Sequence, residues 1–324
     1  MSTAPAHVID RFEAVGNAPS VVTIGNFDGV HRGHQYLLKQ VVERARELGV
    51  RSLVITFEPH PVSVLRPDNP QARIALPTTK VRRIAACGID DVVVIPFDLE
   101  FASLGPREFL DLLRDHVSPR EIIVGEGFRF GNRRAGDTDY IEQYAREHGF
   151  GARIIERKAD PDGVVSSSRI RAALRAGDVT LAEELLGRRF RLSGVVERGF
   201  ARGRELGYPT ANLMVVGELI VPADGIYAGY VHIDDSDAPA HPALIYIGTT
   251  PTFETRERTV EAHILDFDAD LYARNIEIEF VKFLRGDEKF DSVEALLDQI
   301  RQDEAQAREI FARCTPEPDE EGTT

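Results

Sequence analysis

The chain has 324 residues, enough for two ordinary domains with real cores, and its 43% apolar content is ordinary for a soluble globular protein. A formal net charge of −14 argues against non-specific nucleic-acid binding, and no apolar run approaches the ~20 residues that a membrane span needs. Cys87 and Cys314 lie far apart without metal-like spacing, and the N-terminus lacks a signal-peptide pattern, so neither a disulfide framework nor export is expected and the cytoplasm is the default.

In chain order, Val21–Ile24 reads as a buried strand, followed by the turn Gly25-Asn26-Phe27-Asp28-Gly29-Val30-His31-Arg32-Gly33-His34. Leu37, Leu38, Val41, Val42, Ala45 and Leu48 then recur at helical spacing, with Gly49 as the stop. Leu53–Phe57, Val92–Pro96, Ile122–Val124 and Arg153–Ile155 give further strands, and 78–86, 106–116 and 138–148 read as helices. This alternation implies βαβ units and a parallel sheet, with ligands gathered beyond the strand C-termini. A helix over 179–186 ends at Gly187, which is taken as the domain boundary: 1–186, then 187–314.

Beyond it the texture changes. Short alternating runs at 190–197, 226–233, 243–248, 260–265 and 276–284 predict an antiparallel barrel or sandwich. Val293, Leu296, Leu297, Ile300, Ala305 and Ile310 predict a closing helix, and 315–324 an acidic, disordered tail. Residues 188–204 hold six arginines against one acid, a local basic stretch suited to an anionic ligand.

The first turn has the makings of a triphosphate site. Gly25, Gly29 and Gly33 allow close backbone approach, and the helix opening near His34 points its positive end there. His31 and His34, three apart, share one side of that helix. The Walker lysine is missing, and no third metal ligand stands nearby. Gly125-Glu126-Gly127-Phe128-Arg129-Phe130-Gly131 fails as a dinucleotide fingerprint but suits stacking of a flat ring, unless its phenylalanines merely plug a core. Ser166-Ser167-Ser168-Arg169-Ile170-Arg171 offers hydroxyls and a cation for phosphates, or simply an N-cap.

In the second half, Gly203-Arg204-Glu205-Leu206-Gly207-Tyr208-Pro209-Thr210-Ala211-Asn212 reads as a phosphate-covering loop ending in two oxygen donors two apart, as Mg²⁺ on a substrate phosphate prefers. Alternation over 260–265 puts Glu261 and His263 on one face, a general-base position or, read alone, a solvated strand face.

Residues 8–186, through the glycine turn, Thr56-Phe57-Glu58-Pro59-His60-Pro61, Phe128–Gly131 and Ser166–Arg171, resemble the adenylyltransferase module of bacterial FAD synthetase. The resemblance implies a Rossmann-like α/β nucleotidyltransferase domain moving AMP from ATP to FMN with Mg²⁺. It assigns Gly25, Asn26, Phe27, Asp28, Gly29, Gly33, Ser167 and Ser168 to ATP, His31, His34 and Arg171 to catalysis, and Phe57, His60, Pro61, Phe128 and Arg129 to the flavin side. The 203–212 loop, 247–253, Asp270-Leu271-Tyr272 and Phe283-Leu284-Arg285 resemble riboflavin kinase. That implies a six-stranded barrel making FMN from riboflavin and ATP, with Gly203, Leu206, Gly207, Tyr208 and Pro209 on ATP, Thr210 and Asn212 on Mg²⁺, and Glu261 as base. Ala273 departs from the resemblance, which leads us to expect glycine after Leu-Tyr, and so does Gly286. Two other readings stay open: a nucleotidyltransferase for another phosphorylated substrate, and a flavin-binding protein without turnover. Oligomeric state is not written in the sequence.

Overall fold

The computed structural model describes residues 6–198, 203, 206–233, 239–251 and 256–317. They divide into two compact units, Met1–Ser167 and Ser168–Thr324.

The first unit is a parallel sheet of six strands: β1 (His7–Ile9), β2 (Ser20–Ile24), β3 (Arg51–Glu58), β4 (Asp91–Pro96), β5 (Pro119–Gly125) and β6 (Gly151–Ile155), in the order β1-β4-β3-β2-β5-β6. Its helices are α1 (Arg32–Leu48), α2 (Pro61–Leu65), α3 (Pro77–Ala86), α4 (Leu99–Ala102), α5 (Pro106–Val117) and α6 (Thr138–His148). β2 is buried at every position, as a strand covered on both faces must be. Alternate residues go to opposite cores. Val22, Ile24, Ile55, Ile122 and Val124 meet Phe109, Leu110 and Leu113 of α5 and Ile141 and Tyr144 of α6. Val21, Val54, Val92 and Ile123 meet Leu38, Val41, Val42 and Ala45 of α1 and Ile84 of α3. α1 stops at Gly49, left-handed at φ 64°, where the sequence placed its end. β2 lies between β3 and β5, so the chain order reverses there and opens a crevice at the strand C-termini. The edge strand β1 was not expected; it is three residues long.

A small hairpin, β7 (Ala159–Asp160) and β8 (Gly163–Val164), precedes α7 (Ser167–Arg175) and α8 (Val179–Leu186). In the second unit, β9 (Phe190–Glu197), β10 (Ala211–Val215), β11 (Gly225–Ile233), β12 (His241–Pro251), β13 (Arg256–Ile264) and β14 (Asn275–Arg285) close an antiparallel barrel in the order β10-β13-β12-β11-β14-β9. The helix Val293–Phe311 packs Ala307 on Ala228 and Leu244. Its buried Asp303 takes a forked pair from Arg285 at 2.8 and 3.0 Å. Five strands fall on the predicted alternating runs. β10 escaped detection because only Leu213 of its five residues is buried, so it carries no alternation.

Two of the six arginines in the basic stretch, Arg189 and Arg191, are engaged inside the unit. Glu279, fully buried, accepts from Arg189 at 2.6 Å, Arg191 at 3.0 Å and the Glu317 amide at 3.1 Å, and faces His232 at 2.7 Å. Burial pushes Glu279 upward, but the hydrogen bonds from His232 and Arg189 outweigh it and hold the carboxyl below its ordinary value. The same arginines hold residues 315–317 through the carbonyls of Thr315 and Glu317. The rest of the expected tail, with Arg202 and Arg204, lies outside the described residues.

Ala273 shows why glycine was expected there: its φ is +60°. A side chain in this region costs about 1–2 kcal/mol, partly offset in glycine by lost chain entropy. Ala273→Gly should therefore stabilise the chain by about 0.5–1 kcal/mol. A denaturation midpoint unchanged or lowered would refute it.

Candidate active sites

The turn after β2 is shaped from within. Gly29 has φ 78°, and a Cβ there would come within 2.8 Å of Ile74 Cγ2, so only glycine fits. The buried Asp28 carboxylate accepts from the amides of Ile74 at 3.1 Å and Ala75 at 3.4 Å, while its carbonyl takes the Ser167 hydroxyl at 3.0 Å. Thr56 donates to the Asn26 carbonyl at 3.2 Å. Phe27 is buried, with its ring edge-on to His34 at 5.1 Å. Phe27 and Asp28 are thus buried and shape the turn, while Asn26 is half-buried.

α1 begins at Arg32, earlier than expected, because His31 caps it: His31 Nδ1 accepts from the His34 amide at 3.3 Å. In neutral His31 the proton is therefore assigned to Nε2. The two rings stack at 3.6 Å and 16°. Burial, then the neighbouring His31, hold His34 well below the ordinary histidine value. Its Nδ1 is buried and has no partner among the described residues. A histidine held neutral in this way interacts through hydrogen bonds rather than as a fixed cation. Ser168 and Arg171 fall in the second unit on α7, Ser168 exposed and Arg171 buried.

At the end of β3, Glu58 accepts from Arg73 and Lys80, each at 2.6 Å, and Lys80 also donates to the Phe57 carbonyl at 3.0 Å. Burial lowers Lys80, with Glu58 opposing. Arg73 and Lys80 carry no motif signal and were missed.

Phe57 belongs to a run of rings: Phe97 lies 5.7 Å from it and Phe101 5.8 Å, and the run passes through Phe109 to Phe130. Phe128 lies parallel over Phe130 at 5.7 Å and 14°. The phenylalanines of the 125–131 loop are less exposed than expected, Phe130 being buried and Phe128 half-buried. Half-buried Phe97, Phe101 and Phe128 leave aromatic edges for a flat ligand. Phe97 and Phe101 were missed because they belong to none of the motifs, Phe97 directly following the strand run Val92–Pro96. His60 caps α2, its Nδ1 accepting from the Val62 amide at 3.2 Å, with Pro61 as the first helical residue. Arg129 pairs with Asp137 at 3.0 Å.

In the barrel, the Thr210 hydroxyl donates to Glu261 at 2.9 Å, and Asn212 stands opposite Glu261 in the β10–β13 register. Glu261 and His263 share a half-buried face while Val260, Ala262 and Ile264 are buried. His263 Nδ1 meets the Pro209 carbonyl at 2.8 Å and its ring meets Tyr208 edge-on at 5.2 Å, tying the loop to the strand that carries Glu261. Gly203 accepts from the amides of Leu206 and Tyr208, and a Cβ there would strike the Tyr208 carbonyl at 2.3 Å. Gly207 is left-handed at φ 85°. Thr210 and Asn212 line a cleft of about 770 Å³ with Phe267, Asp270, Leu271 and Tyr272. Arg198 lies over the Tyr272 ring at 4.7 Å. Arg204, Glu205, Thr252 and Phe253, quoted in the motifs, lie outside the described residues.

Residues 14–169 match the family model of FAD synthetase, and 186–311 that of riboflavin kinase. A bifunctional riboflavin kinase/FMN adenylyltransferase of Escherichia coli (strain K12) is 37% identical over 91% of this chain and 94% of its own. Like-named proteins of Pseudomonas fluorescens and Bacillus subtilis (strain 168) are 40% and 33% identical, over 90% and 96% of this chain and 93% and 97% of theirs. A solved structure, a macrolide-efflux protein from Streptococcus pneumoniae, superposes with a TM-score of 0.83 at 30% identity, covering 94% of this chain and 99% of that one. The efflux name is that protein's; among the described residues here, no helix is long and apolar enough to cross a membrane.

Proposed function

Because the chain belongs to the bifunctional riboflavin kinase/FMN adenylyltransferase family, we propose that residues 187–314 phosphorylate riboflavin to FMN and that residues 1–186 adenylylate FMN to FAD, releasing pyrophosphate. For the kinase half, the observation that carries this reading is the Thr210–Glu261 contact at 2.9 Å, which sets an oxygen donor for a nucleotide-bound cation beside a carboxylate able to take a proton.

In the kinase, Glu261 accepts the proton of the ribityl 5′-hydroxyl as its oxygen attacks the γ-phosphorus of ATP, and ADP leaves. Thr210 and Asn212 present hard oxygen atoms at one edge of the cleft, a donor set that fits Mg²⁺ shared with phosphates. That ion, when bound, neutralises phosphate charge. His263 and Tyr208 hold the loop in register with the base. Gly203, Leu206, Gly207 and Pro209 form the loop that covers ATP.

In the adenylyltransferase, an FMN phosphate oxygen attacks the α-phosphorus of ATP. His31 Nε2 and His34 hydrogen-bond the phosphates as charge gathers on the leaving pyrophosphate. Gly25, Asn26, Gly29 and Gly33 supply close backbone approach, Phe27 and Asp28 fix the turn, Ser167 holds the Asp28 carbonyl, and the family resemblance assigns Ser167, Ser168 and Arg171 to ATP. Phe57, Phe128 and Arg129, with His60 and Pro61 holding the start of α2, form the flavin side. The described helices and the family fit a soluble enzyme of small molecules working in the cytoplasm.

The test is direct: full-length protein with riboflavin, ATP and Mg²⁺ should yield FMN and then FAD on separation of the flavins. Neither product appearing would sink both assignments.

A further inference from the structure

The segment after Phe130 carries two consecutive arginines in a conformation side chains avoid: φ is +53° at Arg133 and +60° at Arg134. The segment is anchored on both sides. Phe130 and Gly136 exchange backbone hydrogen bonds at 3.1 and 2.9 Å, and the Asn132 amide donates to the Leu104 carbonyl at 2.7 Å. A Cβ on Gly131 would lie 2.9 Å from the Pro106 nitrogen, so the backbone is pressed against the start of α5. The loop is thereby fixed to the run of aromatic rings at the C-terminal edge of β5, the strand beside β2.

Charge makes the strain informative. Arg129 is already paired with Asp137 at 3.0 Å. Arg133 and Arg134 are exposed, and among the described residues neither pairs with a carboxylate. Strained backbone that persists in a well-anchored loop concentrates at ligand sites, and two adjacent guanidinium groups match the oxygens of a phosphate. Both adenylyltransferase substrates join a flat ring to phosphate, as this loop joins Phe128 to two cations.

We propose that Arg133 and Arg134 form an anion-receiving loop for a phosphate group of the adenylyltransferase's substrates, resting on the family reading above for the identity of those substrates. The loop holds the phosphate while the neighbouring rings hold the heterocycle.

The full-length double variant Arg133→Gly/Arg134→Gly tests this, because glycine accepts both φ values and removes only the side chains. FAD formation is followed with FMN varied at saturating ATP and with ATP varied at saturating FMN. Riboflavin phosphorylation in the same chain serves as the internal control. The expected result is a tenfold or greater rise in one KM, a flatter salt dependence of that KM, and a thermal midpoint not lowered. A rise for FMN assigns the loop to its 5′-phosphate; a rise for ATP assigns it to the triphosphate. Lysine at both positions should recover part of the loss. Both KM values unchanged would overturn the proposal, and so would a lowered midpoint accompanying the loss, which marks a structural loop. Should the parent chain make no FAD, the family reading fails instead; titration of FMN and of ATP by flavin fluorescence and calorimetry then reads the loop directly, and equal affinities in parent and variant overturn it.

Discussion

Glu261→Gln is expected to lower riboflavin phosphorylation by about 10²–10⁴-fold, the usual worth of a positioned general base, while adenylylation of supplied FMN continues. The substitution suits the geometry. Thr210 donates its hydroxyl to Glu261 at 2.9 Å, and the amide oxygen of glutamine can accept the same bond. β13 keeps its pairing with β10 and β12 on either side, since the change is isosteric and the register is set by backbone. What disappears is the ability to take a proton. The loss should fall on kcat, with KM for ATP little moved, because the Gly203–Asn212 loop stays tied through His263 and Pro209. Separate initial-rate measurements of FMN and FAD formation decide it. Near-parental FMN formation would remove Glu261 from the base role.

His31→Ala should do the reverse, cutting FAD formation from FMN by about 10²–10³-fold, the scale for removing one preorganised donor to developing charge, and sparing the kinase. Two contributions fail together. The Nε2 donor is lost, and so is the cap on α1, since His31 Nδ1 receives the His34 amide. His34 also loses the ring stacked at 3.6 Å that fixes its orientation. His31→Asn separates these effects: asparagine caps well but cannot reproduce the stack, so stability should recover before activity does. If either the His31 or the Glu261 variant lost both activities, two independent sites could not be maintained.

Much of this was legible beforehand because each module repeats a physical period. Val21–Ile24 followed by a glycine turn and a 3.6-residue pattern admits few arrangements besides a strand, a tight turn and a packed helix. The alternation of 260–265 already put Glu261 and His263 on one face. β10 was not legible, since its partners rather than its own composition make it a strand. Nor was the inward turn of two arginines of the basic stretch: arginine spacing says nothing of Glu279, about ninety positions away, waiting buried to receive Arg189 and Arg191.

By itself the sequence determined two modules in order, the chemistry-bearing turn at 25–34, the 203–212 loop and the strand of Glu261, all features set by neighbours within a few residues. Only the tertiary structure decided which of these side chains are held by other segments of their own unit. Asp28 is held inside by the amides of Ile74 and Ala75, Phe57 among other rings, and His60 on the helix it caps. Those roles depend on contacts between segments distant in the chain, where close packing and the need to satisfy every buried polar group choose among readings that local pattern leaves equal.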